Sequence, residues 1–173
     1  QYSEVFMIYI FQFITKKNFI VVLTDNHANV LQIVGGDYML KKFQKDLNFI
    51  PGVKLSTDFV GNTAISMALT QKRPVQVCGD EHENKLHSEL SCYAAPITYE
   101  GEVLGTLCIT EHNDQFNNNA LGMVIASAKG IENQIDNRRR SYKIAQQSKY
   151  QNTIVENIKE GFLTIDKNGV LTY

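Results

Sequence analysis

The fold of this chain is decided by PVQVCGDEHENKLHSELSCYAAPI, residues 74–97. Residues 74–78 predict a short strand, and Asp80 is a suitable cap for a helix over 81–90. Residues 92–98 and 103–110 then predict two strands, joined by a turn at Tyr99-Glu-Gly101. This order of elements indicates an antiparallel hairpin with a helix beside it.

The segments before residue 74 predict a second strand pair and three helices. Residues 19–24 and 30–34 are apolar and rich in β-branched side chains, and the turn-forming residues 25–29 separate them. Apolar residues at helical spacing predict helices over 1–15 and 37–48. A third, short helix begins at Asn62 or Thr63 and runs to residue 69. The whole order indicates an α+β fold, in which helices flank an antiparallel sheet.

From residue 117 the pattern changes to that of one long helix. Its apolar positions follow a 3–4–7 spacing that is interrupted at Arg138: Leu121, Val124, Ala128, Ile131, Ile135, Tyr142 and Ala145. This spacing predicts a seam along which two copies of the helix pair, and hence a homodimer. Three consecutive arginines, residues 138–140, spread around the helix without interleaved aromatic residues, so we interpret them as a solvated face rather than a nucleic-acid site.

Composition excludes several classes of protein. The chain has 173 residues, 43% of them hydrophobic, and 17 Lys+Arg against 18 Asp+Glu, which argues against disorder and against a protein built to grip phosphate backbones. The apolar run of residues 5–11 is too short to span a bilayer, which needs about 20 residues. Three scattered cysteines indicate the cytoplasm. The chain starts without Met and closes on an unfinished hairpin, so we expect a piece of a longer protein.

A set of motifs in order resembles the GAF sensor domain of sigma-54-dependent transcriptional activators of the acetoin-catabolism-regulator type. The most specific are Gly61-Asn-Thr-Ala-Ile65, Pro74-Val-Gln-Val-Cys-Gly-Asp-Glu-His82 and Ser91-Cys-Tyr-Ala-Ala-Pro-Ile97, where the family has GTNAIG, PVQVxGxEH and TCSAAPI. The resemblance covers about residues 18–135. Residues 161–173 resemble the first hairpin of a PAS domain. The chain departs from the family at Leu55, where a Trp is usual, and at Glu83, where an aromatic residue is common.

The resemblance implies both an architecture and a role. It implies a GAF sensor domain over 1–116, a long output helix over 117–160 whose first part packs on the GAF sheet, and a truncated PAS hairpin over 161–173. The role is that of a bacterial, non-enzymatic sensor that binds a small-molecule effector, needs no cofactor and signals through a dimeric helix. The chain contains neither GxxxxGK[ST] nor a helix-turn-helix. Contacts with sigma-54 RNA polymerase and DNA would therefore belong to other modules, and we expect no membrane contact.

The candidate ligand-binding residues lie on the two short helices and the adjoining strands: Asn62, Thr63, Cys78, His82, His87, Cys92 and Thr106. Glu83, His87 and Cys92 are weak candidates for a metal site, but His82 and His87 would point about 140° apart on a helix, so we expect no metal. Two alternatives remain open. One is a thiol-dependent enzyme that uses Cys78 or Cys92, although buried cysteines more often act as small hydrophobic residues. The other is a dimerisation module without a ligand.

Overall fold

The computed structural model describes residues 19–47, 49–113, 119–157 and 164–171. The chain divides into two compact units, Gln1–Asp136 and Asn137–Tyr173. The first unit contains a five-stranded sheet with the strand order β2-β1-β5-β4-β3, and every pair of neighbouring strands is antiparallel. The strands are β1 (Phe19–Asp25), β2 (Val30–Gly35), β3 (Val75–Cys78), β4 (Leu90–Tyr99) and β5 (Glu102–His112). The predicted α+β class with an antiparallel sheet is confirmed.

The helices are α1 (Asp37–Leu47), α2 (Thr57–Val60), α3 (Ala64–Gln71) and α4 (Ala120–Asn157). Helix α3 begins where the sequence predicts, because the Thr63 hydroxyl accepts a hydrogen bond from the Ser66 amide and the Ser66 hydroxyl accepts one from the Thr63 amide. This reciprocal pair satisfies two amides that would otherwise lack partners at the start of a helix. No helix among the described residues is both long and apolar enough to cross a membrane.

The central strands β4 and β5 are buried on both faces, and their alternating side chains therefore build two separate cores. Cys92, Ala94 and Cys108 belong to the first core, which helices α1 and α3 cover with Met39, Phe43, Ala64, Ile65 and Ala68. Tyr93, Ala95, Leu107 and Ile109 belong to the second core, which the first part of helix α4 covers with Ala120, Val124, Ala128 and Ile131. Adjacent residues of one strand thus contact different helices.

The position of α4 corrects the predicted helix seam. Val124 and Ile131 have relative exposures of 0% and 3% and pack within the chain, so they are not free to pair with a second copy. A helix that packs within its own chain and a helix that pairs in a coiled coil require the same 3–4 spacing of apolar residues, so the spacing alone does not distinguish the two. Within the second unit, Tyr142, Ile144 and Tyr150 are exposed.

The predicted helix over 81–90 is also wrong. Residues 79–89 form an irregular loop, which contains two 3-10 turns, Gly79–Glu81 and Lys85–His87, and strand β4 already begins at Leu90. In the second unit, Ile165 and Leu171 form an antiparallel bridge around a turn. This bridge agrees with the middle of the hairpin predicted over 161–173. The predicted helix over 1–15 and the rest of the 161–173 hairpin lie outside the described residues, and the proposed domain boundaries stay predictions.

Candidate functional site

The loop of residues 79–89 lies over the first core and is fastened by two carboxylates. The Glu83 carboxylate accepts hydrogen bonds from the Asn62 amide nitrogen at 2.9 Å and from its side-chain Nδ2 at 2.6 Å. The Glu81 carboxylate accepts one from the Cys78 amide at 2.7 Å. Gly61 permits the first contact, since it has a φ of 73° and any Cβ there would lie 2.8 Å from Glu83 Oε2. The loop is therefore latched to the start of helix α3.

This loop brings two imidazole rings together beneath it. His82 and His87 are both 5% exposed, and their ring centroids lie 5.7 Å apart at an interplanar angle of 80°. Phe49 contacts the other side of His87 at a centroid distance of 6.3 Å. The predicted helix would have pointed the two histidines apart, whereas the 3-10 turns direct both inward.

The two histidines line one side of a small buried cavity of about 10 Å³. Its walls come from α3, the loop, β4, β5 and the segments before α3: Phe49, Leu55, Thr63, Ala64, Ile65, His82, His87, Leu90, Cys92, Cys108 and Thr110. The walls are mostly apolar and carry a few converging polar groups, which is the composition of a small-molecule site. In the described state the cavity has room for about one water molecule.

The floor of the cavity is made of two thiols and a hydroxyl. Thr110 Oγ1 donates a hydrogen bond to Cys92 Sγ at 3.5 Å and lies 3.6 Å from Cys108 Sγ. The adjacent Cys108 thiol and burial raise the pKa of the Cys92 thiol well above its ordinary value. Cys92 is therefore a protonated thiol at neutral pH, and it lacks the thiolate character that a reactive cysteine needs.

The two histidines differ in their electrostatic surroundings. Burial disfavours the protonated ring of His82, but the Cys92 sulfur, the Gly79 carbonyl and the Glu81 carboxylate together outweigh it and raise the pKa of His82. For His87, burial and the neighbouring charge of His82 lower the pKa. When the site takes up a proton, it goes to His82 first.

A larger and more open groove lies on the other side of the loop, next to helix α1. Its volume is about 340 Å³, and its walls are Lys42, Phe43, Lys85, Leu86, Ser88, Glu89 and Leu90. Leu90 lines both the groove and the buried cavity. The loop therefore separates a closed interior site from a groove of the size that small metabolites occupy.

Four of the seven predicted ligand residues meet at the buried cavity, namely Thr63, His82, His87 and Cys92. Asn62 instead forms part of the latch. The other two lie elsewhere: the half-buried Cys78 ends strand β3 and accepts a hydrogen bond from Gln76, and the Thr106 hydroxyl pairs with that of Thr24 at 2.8 Å.

The wall residues that sequence reasoning did not predict include Phe49, Cys108 and Thr110. The last two could have been found from the period of two along β5, which places them on the same face as Thr106. Of the weak metal candidates, Glu83 directs both carboxylate oxygens to Asn62. Among the described residues, no group of three or more His, Cys, Asp or Glu side chains has the arrangement of a metal site.

The chain is similar in sequence to a known domain family and to several known proteins. The GAF domain family matches residues 12–135. The Signal-transduction and transcriptional-control protein of Clostridium beijerinckii is 25% identical over 167 residues, which are 96% of this chain and 26% of that protein. The Acetoin dehydrogenase operon transcriptional activator AcoR of Bacillus subtilis is 28% identical over 132 residues, which are 76% of this chain and 20% of that protein. The chain thus spans about a quarter or less of the length of these relatives.

Solved structures share the fold. A chain in the crystal structure of the E. coli DhaR(N)-DhaL complex superposes with a TM-score of 0.88 at 18% identity, over 99% of this chain and 59% of that chain. The free methionine-R-sulfoxide reductase from Neisseria meningitidis, in complex with its substrate, superposes with a TM-score of 0.54 at 16% identity, over 82% of this chain and 81% of that chain. At such identities the likeness concerns the fold alone.

Proposed function

The chain belongs to the GAF domain family, and from that premise we propose that it is the signal-sensing domain of a sigma-54-dependent transcriptional regulator. A small-molecule effector binds beneath the loop of residues 79–89, and helix α4 passes the signal to PAS and AAA+ modules of the same protein. The names of the relatives, a transcriptional-control protein and a transcriptional activator, support a regulatory context.

The observation that carries this proposal is the position of the cavity on a sheet whose strands are shared by two cores. On β4, Cys92 contacts the cavity while the adjacent Tyr93 packs in the core under α4. On β5, Cys108 and Ile109 are divided in the same way. A ligand that displaces these strands therefore acts on helix α4 without contacting it, provided that it prefers one of two arrangements of the strands.

A polar clip joins the far end of β4 to the same helix. Glu132 Oε1 accepts hydrogen bonds from the Thr98 amide at 2.5 Å and from the Thr98 hydroxyl at 2.6 Å, and Glu132 Oε2 accepts one from Lys129 at 2.6 Å. Thr98 lies where the pairing of β4 with β5 shifts register after Ile97. The clip ties the irregular point of the strand to the output helix, so a shift of the strand pulls on α4.

Partners and location follow from the same proposal. The protein acts as a cytoplasmic homodimer that pairs through the helix beyond the part that packs on the sheet. Polymerase and DNA contact the modules beyond this domain. A thiol-dependent enzyme is the less supported alternative, because Cys92 is buried and its pKa is raised. A dimerisation module without a ligand is the outcome expected if no effector binds.

Thermal unfolding in the presence of a metabolite library tests the proposal. A ligand at 100 times its dissociation constant stabilises the folded state by about 2.7 kcal/mol, and 1 kcal/mol raises the melting temperature by about 2–4 °C for a chain of this size. We expect one compound class to shift the wild type and His27→Gln, whose exposed histidine lies away from the cavity, but not His82→Leu. A library without any shift, or a shift that persists in His82→Leu, would refute binding at this cavity.

A further inference from the structure

Asn113 lies at the base of the loop of residues 79–89, where the two ends of that loop meet. Its side-chain Nδ2 donates a hydrogen bond to the Ser88 carbonyl at 2.8 Å, and its backbone amide donates one to the Glu89 carbonyl at 2.9 Å. At the other end of the loop, a Cβ on Gly79 would lie 3.2 Å from the same Nδ2, and Gly79 has a φ of 56°. The glycine therefore lets the loop close tightly against Asn113.

The other half of the Asn113 carboxamide reaches a side chain on the opposite face of the sheet. Oδ1 accepts a hydrogen bond from the Ser91 hydroxyl at 2.7 Å, and Ser91 is 1% exposed. Side chains alternate along β4, so Ser91 lies on the same face as Tyr93, which packs in the second core under helix α4. The adjacent Cys92 lines the cavity on the first face. One amide group thus joins the loop over the cavity to a buried hydroxyl on the face that carries the helix.

The chemistry of this bridge requires an amide side chain. The carbonyl oxygen of Ser88 can only accept a hydrogen bond, so the atom that faces it has to be a donor, and the hydroxyl hydrogen of Ser91 needs an acceptor. A carboxamide supplies one donor group and one acceptor side by side, whereas an ionised aspartate supplies acceptors alone. The orientation of the amide is therefore set from both sides, by the loop and by strand β4.

We propose that Asn113 is the positioning residue that couples the loop of residues 79–89 to the core under helix α4. This inference rests on the proposed function, for which it names the side chain that links the loop to strand β4. In the closed loop, the Ser88 carbonyl holds the amide so that Oδ1 faces Ser91. When the loop opens, this restraint is lost and the buried hydroxyl of Ser91 loses its fixed acceptor, which is unfavourable. The start of β4 then moves to satisfy the hydroxyl, and Tyr93 carries the movement into the second core.

The test opens the loop without a ligand and measures the response of the helix. Glu83→Ala removes both hydrogen bonds that latch the loop to Asn62. We expect amide hydrogen exchange within residues 79–89 of the whole chain, followed by NMR, to become about tenfold faster, because hydrogen bonds to a charged group are lost. The same substitution should shift the amide resonances of Val124 and Ala128, which pack on the sheet from helix α4.

Two further substitutions cut the bridge on its two sides. Ser91→Ala removes the hydroxyl and leaves the contact of Asn113 with the loop. Asn113→Asp keeps an acceptor for Ser91 in the open and the closed loop, but it removes the donor to the Ser88 carbonyl. In either background Glu83→Ala should no longer shift the resonances of helix α4, although the loop of Ser91→Ala should still open. Ser141→Ala, at an exposed serine of the second unit, is the matched control and should keep the response of the helix.

The outcomes separate this inference from the proposed function. If helix α4 responds to Glu83→Ala as strongly in Ser91→Ala and Asn113→Asp as in the wild type, Asn113 has a structural role only, and the inference is overturned while sensing at the cavity stands. The inference is also overturned if the wild-type helix does not respond, or if Glu83→Ala leaves the exchange of the loop unchanged. Each response is compared within its own background, so a general loss of stability in one variant cancels. Binding of an effector is decided separately, by the metabolite library.

Discussion

Replacing Ile131 by alanine tests whether the first part of helix α4 belongs to the core of its own chain. Ile131 is 3% exposed and packs in the second core with Val124 and Ile109. Removing a buried isoleucine side chain costs about 2–5 kcal/mol, from the lost burial and the cavity left behind. Taking about 3 kcal/mol and about 2–4 °C for each, the melting temperature of Ile131→Ala should fall by about 6–12 °C.

Ile144→Ala is the matched control, because it makes the same substitution on the same helix. Ile144 is 66% exposed and does not belong to the predicted 3–4–7 spacing. Its loss removes almost no buried area, and alanine favours the helix slightly, so stability should change by no more than about 0.5 kcal/mol. Urea unfolding followed by circular dichroism measures both variants and the wild type.

Protein concentration separates the two interpretations of Ile131. If the residue packs within the chain, the free energy lost in Ile131→Ala is the same at low and high concentration. If it lies in a seam between two copies, the loss is seen only at concentrations where the chain is a dimer and disappears when dilution separates the copies. A cost below about 1 kcal/mol, or one that changes on dilution, would refute the intrachain packing.

Three further predictions follow from the site and its connections. Glu132→Gln should lower the free energy of unfolding by about 1–2 kcal/mol at neutral pH. The hydrogen bonds to Glu132 lower the pKa of its carboxyl below 4.5, so the difference between wild type and variant should shrink as the pH falls through that lowered pKa. Urea unfolding at acid and at neutral pH measures this difference. A thiol reagent should titrate Cys78 in the folded protein and reach Cys92 and Cys108 only after unfolding, and rapid reaction of a second thiol would revive the enzyme alternative. Light scattering should give about twice the 19.6 kDa of one chain, and a variant that ends at residue 136 should be a monomer; a monomeric whole chain would sink the dimer.

The strands could be predicted from the sequence because local chemistry decides them. Residues 19–24 and 103–110 are apolar and β-branched, turn residues flank them, and the structure places β1 and β5 there with small shifts at the ends. Helix α3 could be predicted equally well, since the side chain of Thr63 caps it. In these places the residues that set the backbone are neighbours in the chain.

The geometry of the site was harder to predict from the sequence, because it depends on residues far apart in the chain. Helix propensity over 81–90 is overridden by tertiary contacts: Glu83 bonds to Asn62, and Asn113 donates to the Ser88 carbonyl. Once that segment is a loop, the angle between His82 and His87 is set by 3-10 turns and not by a regular helix, so an argument from helical spacing placed them wrongly. Residue types indicated four side chains that the structure brings to one cavity, and the long-range contacts determined the shape of that cavity.

The loop over the cavity and helix α4 on the opposite face of the sheet are held by different kinds of interaction, and this difference suits a sensor. The latch over the cavity consists of hydrogen bonds between exposed groups of Asn62 and Glu83, which water can replace, so we expect it to open at low cost. The face under α4 buries Val124 and Ile131 among apolar side chains, which water cannot replace without a large loss of free energy. A ligand can therefore open the loop over the cavity while helix α4 stays packed on the opposite face. Because helix α4 stays packed on β4 and β5, any shift of these strands moves the helix with them.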